Sequence, residues 1–201
     1  MDPLQIVTLV LGSSTATAVI GALLGEPLKA HLEKRSSDKE RVNSAKFAAL
    51  SLANALEDYA RTCADVVARN DSSADPWSDE AGHFANIPKQ PPYPENISWT
   101  ALGVHETDAA LSFRTRVELV RSYLSDYWEY ADDQIFEATA ESAAQIGMDA
   151  RAHASRLRRE MGLKPLAEDK FVWNYASTMQ SYLLELKKKR DRAAARPDIE
   201  L

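Results

Sequence analysis

Two short constellations are the first residues of this chain that could do chemistry. Glu80-Ala-Gly-His83 has the E-x-x-H spacing with which di-metal helical bundles turn a carboxylate and an imidazole toward one ion. Such centres need two copies on helices plus further carboxylates. Here one copy occurs, it contains a glycine, and prolines flank it, so an incidental surface pair is expected. Asp149 and His153, four apart, would share one helix face, where a solvated acid–imidazole pair is expected rather than a ligand set. The single cysteine, Cys63, excludes an intrachain disulfide and a cysteine-cluster metal site. Its position on an apolar helical face predicts an inert core thiol. No glycine-rich phosphate loop, G-x-S-x-G or H-E-x-x-H is present. The chain therefore reads as non-enzymatic and without a cofactor, and a metal-dependent enzyme built on Glu80 and His83 is the weakest alternative.

Charge narrows the partners. The 201 residues carry a formal net charge of −6, against the basic balance of most nucleic-acid-binding domains. The charges come in blocks. Asp126, Glu129, Asp132, Asp133, Glu137 and Glu141 are acidic; Arg151, Arg156, Arg158 and Arg159, and later Lys187 to Arg192, are basic. Solvated faces with complementary packing are expected, the sharper alternative being basic ends that dock on anionic lipid or an acidic partner. The aromatic residues are not interleaved with the cations as a base-stacking platform requires.

The address comes from the N-terminal stretch. From Leu4 to Leu24 there is no charged side chain. A helix of about 21 residues spans roughly 30 Å, the thickness of a bilayer core. Ser13, Ser14, Thr15 and Thr17 soften the run without forbidding insertion. Asp2 is the only charge ahead of it, which argues against a signal peptide, and the small-x-small site at Ala16–Ala18 would fall inside the apolar run. An uncleaved anchor over 1–27 is expected; a signal peptide, or an apolar helix buried by protein, are the alternatives. Lys29, Lys34, Arg35, Lys39, Arg41 and Lys46 all follow the run. The positive-inside rule then predicts a single pass through the bacterial inner membrane, the N-terminus outside and the remainder cytoplasmic. Gly12 with Ala16, and Gly21 with Gly25, could bring two spans together, and Lys29, Lys34 and Arg35 are candidate contacts to anionic lipid.

The elements behind the anchor are helical. Residues 28–41 interleave both signs and predict a charged stalk helix. Val42, Ala45, Ala49, Leu52, Leu56, Tyr59, Cys63 and Val66 then step by three and four, an a/d seam that either packs within a bundle or pairs with a second copy. Asn70-Asp71-Ser72-Ser73 predicts a break, and Pro27 a kink or a new helix start. Five of the 9 prolines fall between Pro76 and Pro94. An irregular segment over about 71–104 is therefore expected to wrap over the bundle, with Trp77, Tyr93 and Trp99 as its pegs or as partner-binding anchors.

Thr107 or Asp108 would cap the next helix, whose face runs through Phe113, Val117, Val120, Leu124, Tyr127 and Ala131. Another pattern carries Ile135, Phe136, Ala143, Ile146, Ala150, Leu157 and Met161 and stops at Gly162. The last carries Val172, Tyr175, Met179, Tyr182 and Leu186. No stretch alternates as a strand would. The fold class expected is all-α: the anchor, then an antiparallel bundle of about four helices over 42–192, with a frayed tail over 193–201.

The stretches "LANALEDYARTCADVV", "PPYPENISW" and "LRREMGLKP", together with the apolar N-terminal run, resemble bacterial or prophage-borne membrane-anchored helical proteins that carry no assigned activity. The resemblance implies an anchored helical fold and adds no site residues. The function expected is a membrane-anchored interaction or regulatory module. Its partners would be the bilayer, an unidentified protein, and a second copy joined through the span or the 42–66 seam. A membrane-active, holin- or toxin-like oligomer is the runner-up.

Overall fold

The computed structural model describes residues 14–73, 85–128, 134–166 and 174–195, with the backbone alone for 14–30, 72–73 and 128. Among them are five helices: α1 (Ser14–Ser73), α2 (Trp99–Leu102), α3 (Val104–Trp128), α4 (Ile135–Glu160) and α5 (Tyr175–Ala194). The described residues contain no strand, and the chain is all-α as its periodicity predicts. No helix among them is long and apolar enough to cross a membrane. The expected span begins at Leu4, so its first part lies outside the described residues.

The chain divides into two compact units, Met1–Ser44 and Ala45–Leu201. In the first, α1 runs through Pro27 without interruption, and every side chain from His31 to Ser44 is exposed. Val42, expected in the apolar seam, is among these exposed residues.

In the second unit the seam is buried from Ala49 onward, through Leu52, Leu56, Tyr59, Cys63 and Val66. The chain's own helices cover it. Tyr59 meets Phe113 of α3 edge-on, with ring centroids 5.9 Å apart. Glu57 holds Arg158 of α4, and Arg61 lies over the Tyr175 ring of α5. Helix directions follow from such pairs. Glu57 reaches Arg158 while Cys63 lies beside Gly147, so α1 and α4 run antiparallel. Glu106 faces Arg156 and Arg116 pairs with Asp149, and Lys189 reaches Glu137, so α3 and α5 are antiparallel to α4 as well. The bundle has one helix opposed to three, a departure from the wholly alternating arrangement expected.

That topology accounts for the long proline-rich segment. A chain leaving α1 and entering a parallel α3 must return along the bundle, and a helix turned back at a tight loop cannot do that. The contacts of the segment descend α1 and then α3 in order. The Asn70 side chain bonds Ala85, the Tyr59 hydroxyl donates to the Pro88 carbonyl, Arg114 bonds Gln90, and Tyr93 reaches Ala110. Extended proline-rich backbone advances about 3.1 Å per residue, twice a helix's rise, so few residues suffice for the return. Helix α1 ends at Ser73, the last residue of the expected break, so Asn70 at its start is still inside the helix. Asn70 stays helical and buried, donating to the Ala85 carbonyl and accepting from its N–H, both at 2.8 Å. A turn-forming residue in sequence thus serves as the clamp for the returning strap.

The strap enters α3 through α2 and Gly103, whose φ of 84° and ψ of 165° suit a glycine alone. Thr107, expected as a cap, lies inside α3, and its hydroxyl donates to the Trp99 carbonyl at 3.0 Å. Helix α4 ends as its sequence predicts. Gly162 has φ +62°, its N–H bonds the Arg159 carbonyl at 3.2 Å, and Leu163 N–H bonds the Arg158 carbonyl at 2.8 Å, the double closure of a Schellman turn. Asn174 caps α5, its side chain accepting from Ser177 N–H at 3.1 Å.

Candidate functional site

The residues singled out by sequence do not gather at one place. Trp77, Glu80, His83 and Gly12 lie outside the described residues. Ala16, Gly21, Gly25 and Lys29 lie in α1 where the backbone alone is described, and Lys34 and Arg35 are exposed on the same helix. Tyr93 and Trp99 are brought together, with centroids 5.9 Å apart. Both are partly buried against the core, and Arg114 stacks 5.3 Å from the Tyr93 ring. The Tyr93 hydroxyl donates to the Ala110 carbonyl at 3.0 Å, and burial pushes its phenol well above the usual range. These are the contacts of inward pegs. Cys63 is buried, and desolvation pushes its thiol up to about 12, as an inert core cysteine requires.

Two polar clusters embedded in the bundle were not visible in the spacing. Both sit on the last turns of α4. In one, Arg158 lies flat against the Glu57 carboxylate, Nε to Oε1 at 2.7 Å and an Nη to Oε2 at 2.8 Å. Its remaining donors reach Asn54 Oδ1 at 2.7 Å and the Lys164 carbonyl at 3.2 Å. The hydrogen bonds to Glu57 hold the guanidinium proton more firmly than usual, outweighing desolvation. The cluster ties α1, α4 and the turn after α4 into one unit. In sequence Arg158 is one of four arginines in a basic block, and nothing in the spacing marks it as the one turned inward.

In the other cluster, Glu106 in the first turn of α3 is 4% exposed and His153 of α4 is 9% exposed. His153 Nε2 stands 3.4 Å from Glu106 Oε2, and an Arg156 Nη donates to the same oxygen at 3.2 Å. His105, at the rim and largely exposed, stands 3.7 Å from Oε1. Among the described residues, Glu106 Oε1, His153 Nε2 and Arg156 Nε are buried without a hydrogen-bond partner. Desolvation lowers the His153 value most, followed by the Arg156 charge, and the Glu106 carboxylate offsets them only in part. The sequence reading of His153 is corrected here. Its acid partner is Glu106 across the helix interface, not Asp149 one turn away, and the pair is buried, not solvated. Asp149 is committed to Arg116 at 2.6 Å.

No group of three or more His, Cys, Asp or Glu side chains that could hold a metal ion occurs among the described residues. The basic block of α5 is partly neutralised: Lys189 reaches Glu137, and Arg190 holds Glu141 through two bonds of 2.7 and 2.6 Å. The apolar side chains left outside include Val104, Leu111, Leu119 and Tyr123, all on α3. At 100° per residue Val104, Leu111 and Leu119 lie on the side of that helix opposite Phe113, Val117 and Leu124, with Tyr123 on its flank.

No family model matches the chain, and no curated protein or solved structure matches it either.

Proposed function

We propose that this chain is a non-enzymatic, membrane-tethered interaction module: an N-terminal anchor, a solvated helical stalk, and a cytoplasmic helical bundle that docks a protein partner. The observation that carries the reading is the charge-free run from Leu4 to Leu24, followed within the stalk by five cations, Lys29 to Arg41, and then by Lys46. The wholly exposed helix from His31 to Ser44 supports it, because a helix without a buried face gains nothing from a core and suits a spacer. Tethering raises the local concentration of the bundle for membrane-proximal partners, so a modest docking face suffices. The outward side of α3, with Leu111, Leu119 and Tyr123, is the candidate face. It replaces the proline-aromatic strap considered from sequence, whose Tyr93 and Trp99 point to the core.

The test is fractionation of bacterial cells expressing the full chain, with carbonate and then detergent extraction and protease treatment of spheroplasts. The expected result is release by detergent alone, with the C-terminus shielded. Release by carbonate, or a protein found free in the lysate, would overturn the anchor. Loss of membrane potential on expression would favour the membrane-active alternative.

A further inference from the structure

The Glu106–His153 contact joins the first turn of α3 to α4, and that turn carries more than itself. Gly103 and α2 precede it, and Thr107 bonds back to Trp99, so the end of the proline-aromatic strap rests on the same corner. At neutral pH the charges of the contact balance: one buried carboxylate, Glu106, against one half-buried guanidinium, Arg156. His153 adds no charge while neutral, and its Nε2 has no hydrogen-bond partner.

We propose that this contact is a proton-operated latch: uptake of a proton from solvent by the His153 ring loosens the α2–α3 corner from α4. The reason is the charge count. The added proton leaves the Glu106 carboxylate, almost wholly buried, facing two cations, the His153 imidazolium and the Arg156 guanidinium, whose side chain is one-third exposed. Buried charge without a counter-charge is costly, and the least costly relief is to let water in. The groups facing His153 are His105 and Glu106 on α3 and Arg156 on its own helix. Asp149, one turn away on α4, is paired with Arg116. Linkage fixes the direction. An imidazole titrating below its ordinary 6.5 when closed, and near it when open, takes up protons on opening. Opening is therefore suppressed above pH 6.5 and grows as pH falls below it.

The experiment is hydrogen exchange of the full chain between pH 7.5 and 5, corrected for the intrinsic pH dependence of amide exchange. Amides 105–110 should open more as pH falls, by up to about 30-fold at pH 5, the limit for an imidazole that titrates at 6.5 only when open. Amides 140–150 of α4 should not follow. His153→Gln should abolish the dependence, and His105→Gln should leave most of it. Opening of 105–110 that is flat with pH in the wild type, or that persists in His153→Gln, would overturn the latch. Should His153→Gln fold poorly, the NMR titration of the wild-type His153 ring decides. Its midpoint must lie below 6.5 and coincide with the shifts of amides 105–107; a midpoint at or above 6.5, or amides that do not follow it, would count against the proposal.

Discussion

Helix α4 holds two buried ion clusters less than two turns apart, and they are built differently. Arg158 meets Glu57 edge to edge, and its leftover donors find Asn54 and the Lys164 carbonyl. Glu106 meets Arg156 through one oxygen, has His153 Nε2 3.4 Å from that same oxygen, and keeps its other oxygen without a hydrogen bond. The first cluster has its charges matched and its hydrogen bonds made, so it adds rigidity. The second is incomplete, and a single proton changes its balance. Burial alone therefore does not decide whether a charged cluster is a lock or a latch; completeness of the hydrogen bonding does.

The largest effect expected is on the complete cluster. Arg158→Met leaves the Glu57 carboxylate buried without its counter-ion, which costs about 3–5 kcal/mol by analogy with broken buried pairs. Urea unfolding followed by circular dichroism would read it, and a loss under about 1 kcal/mol would mean that water reaches Glu57 readily. A far smaller effect is expected at the α4–α5 pair with nearly the same geometry. Glu141→Gln removes the two-bond contact to Arg190, yet the arginine is mostly in solvent, so the change should stay within about 0.5 kcal/mol. Equal losses in the two variants would show that pairing geometry, not burial and completeness, sets these energies.

The sequence carried the architecture well and the site poorly, for physical reasons. Helical periodicity repeats many times within an element, so the seam from Ala49 to Val66 and the stop at Gly162 were legible. Helix direction was not, because apolar spacing is the same whichever way a neighbour runs. The length of the proline-rich segment held that information, since only a return along the bundle needs it. The break over Asn70–Ser73 was legible as the end of α1, but the clamp made by Asn70 was not, because its partner Ala85 lies fifteen residues away in the strap. Glu106, His153 and Arg158 could not be selected from a sequence rich in charge: one helical step decides whether a cation meets water or a carboxylate.

The most direct test of the contrast is a pair of double-mutant cycles, Glu57→Gln with Arg158→Met and Glu106→Gln with His153→Gln, each measured by urea unfolding at pH 7.5 and 5.5. The lock should show a coupling of about 2 kcal/mol or more that is the same at both pH values. The latch should show a coupling under about 1 kcal/mol at pH 7.5 that changes on acidification. Couplings of equal size, or a Glu106–His153 coupling indifferent to pH, would contradict the account.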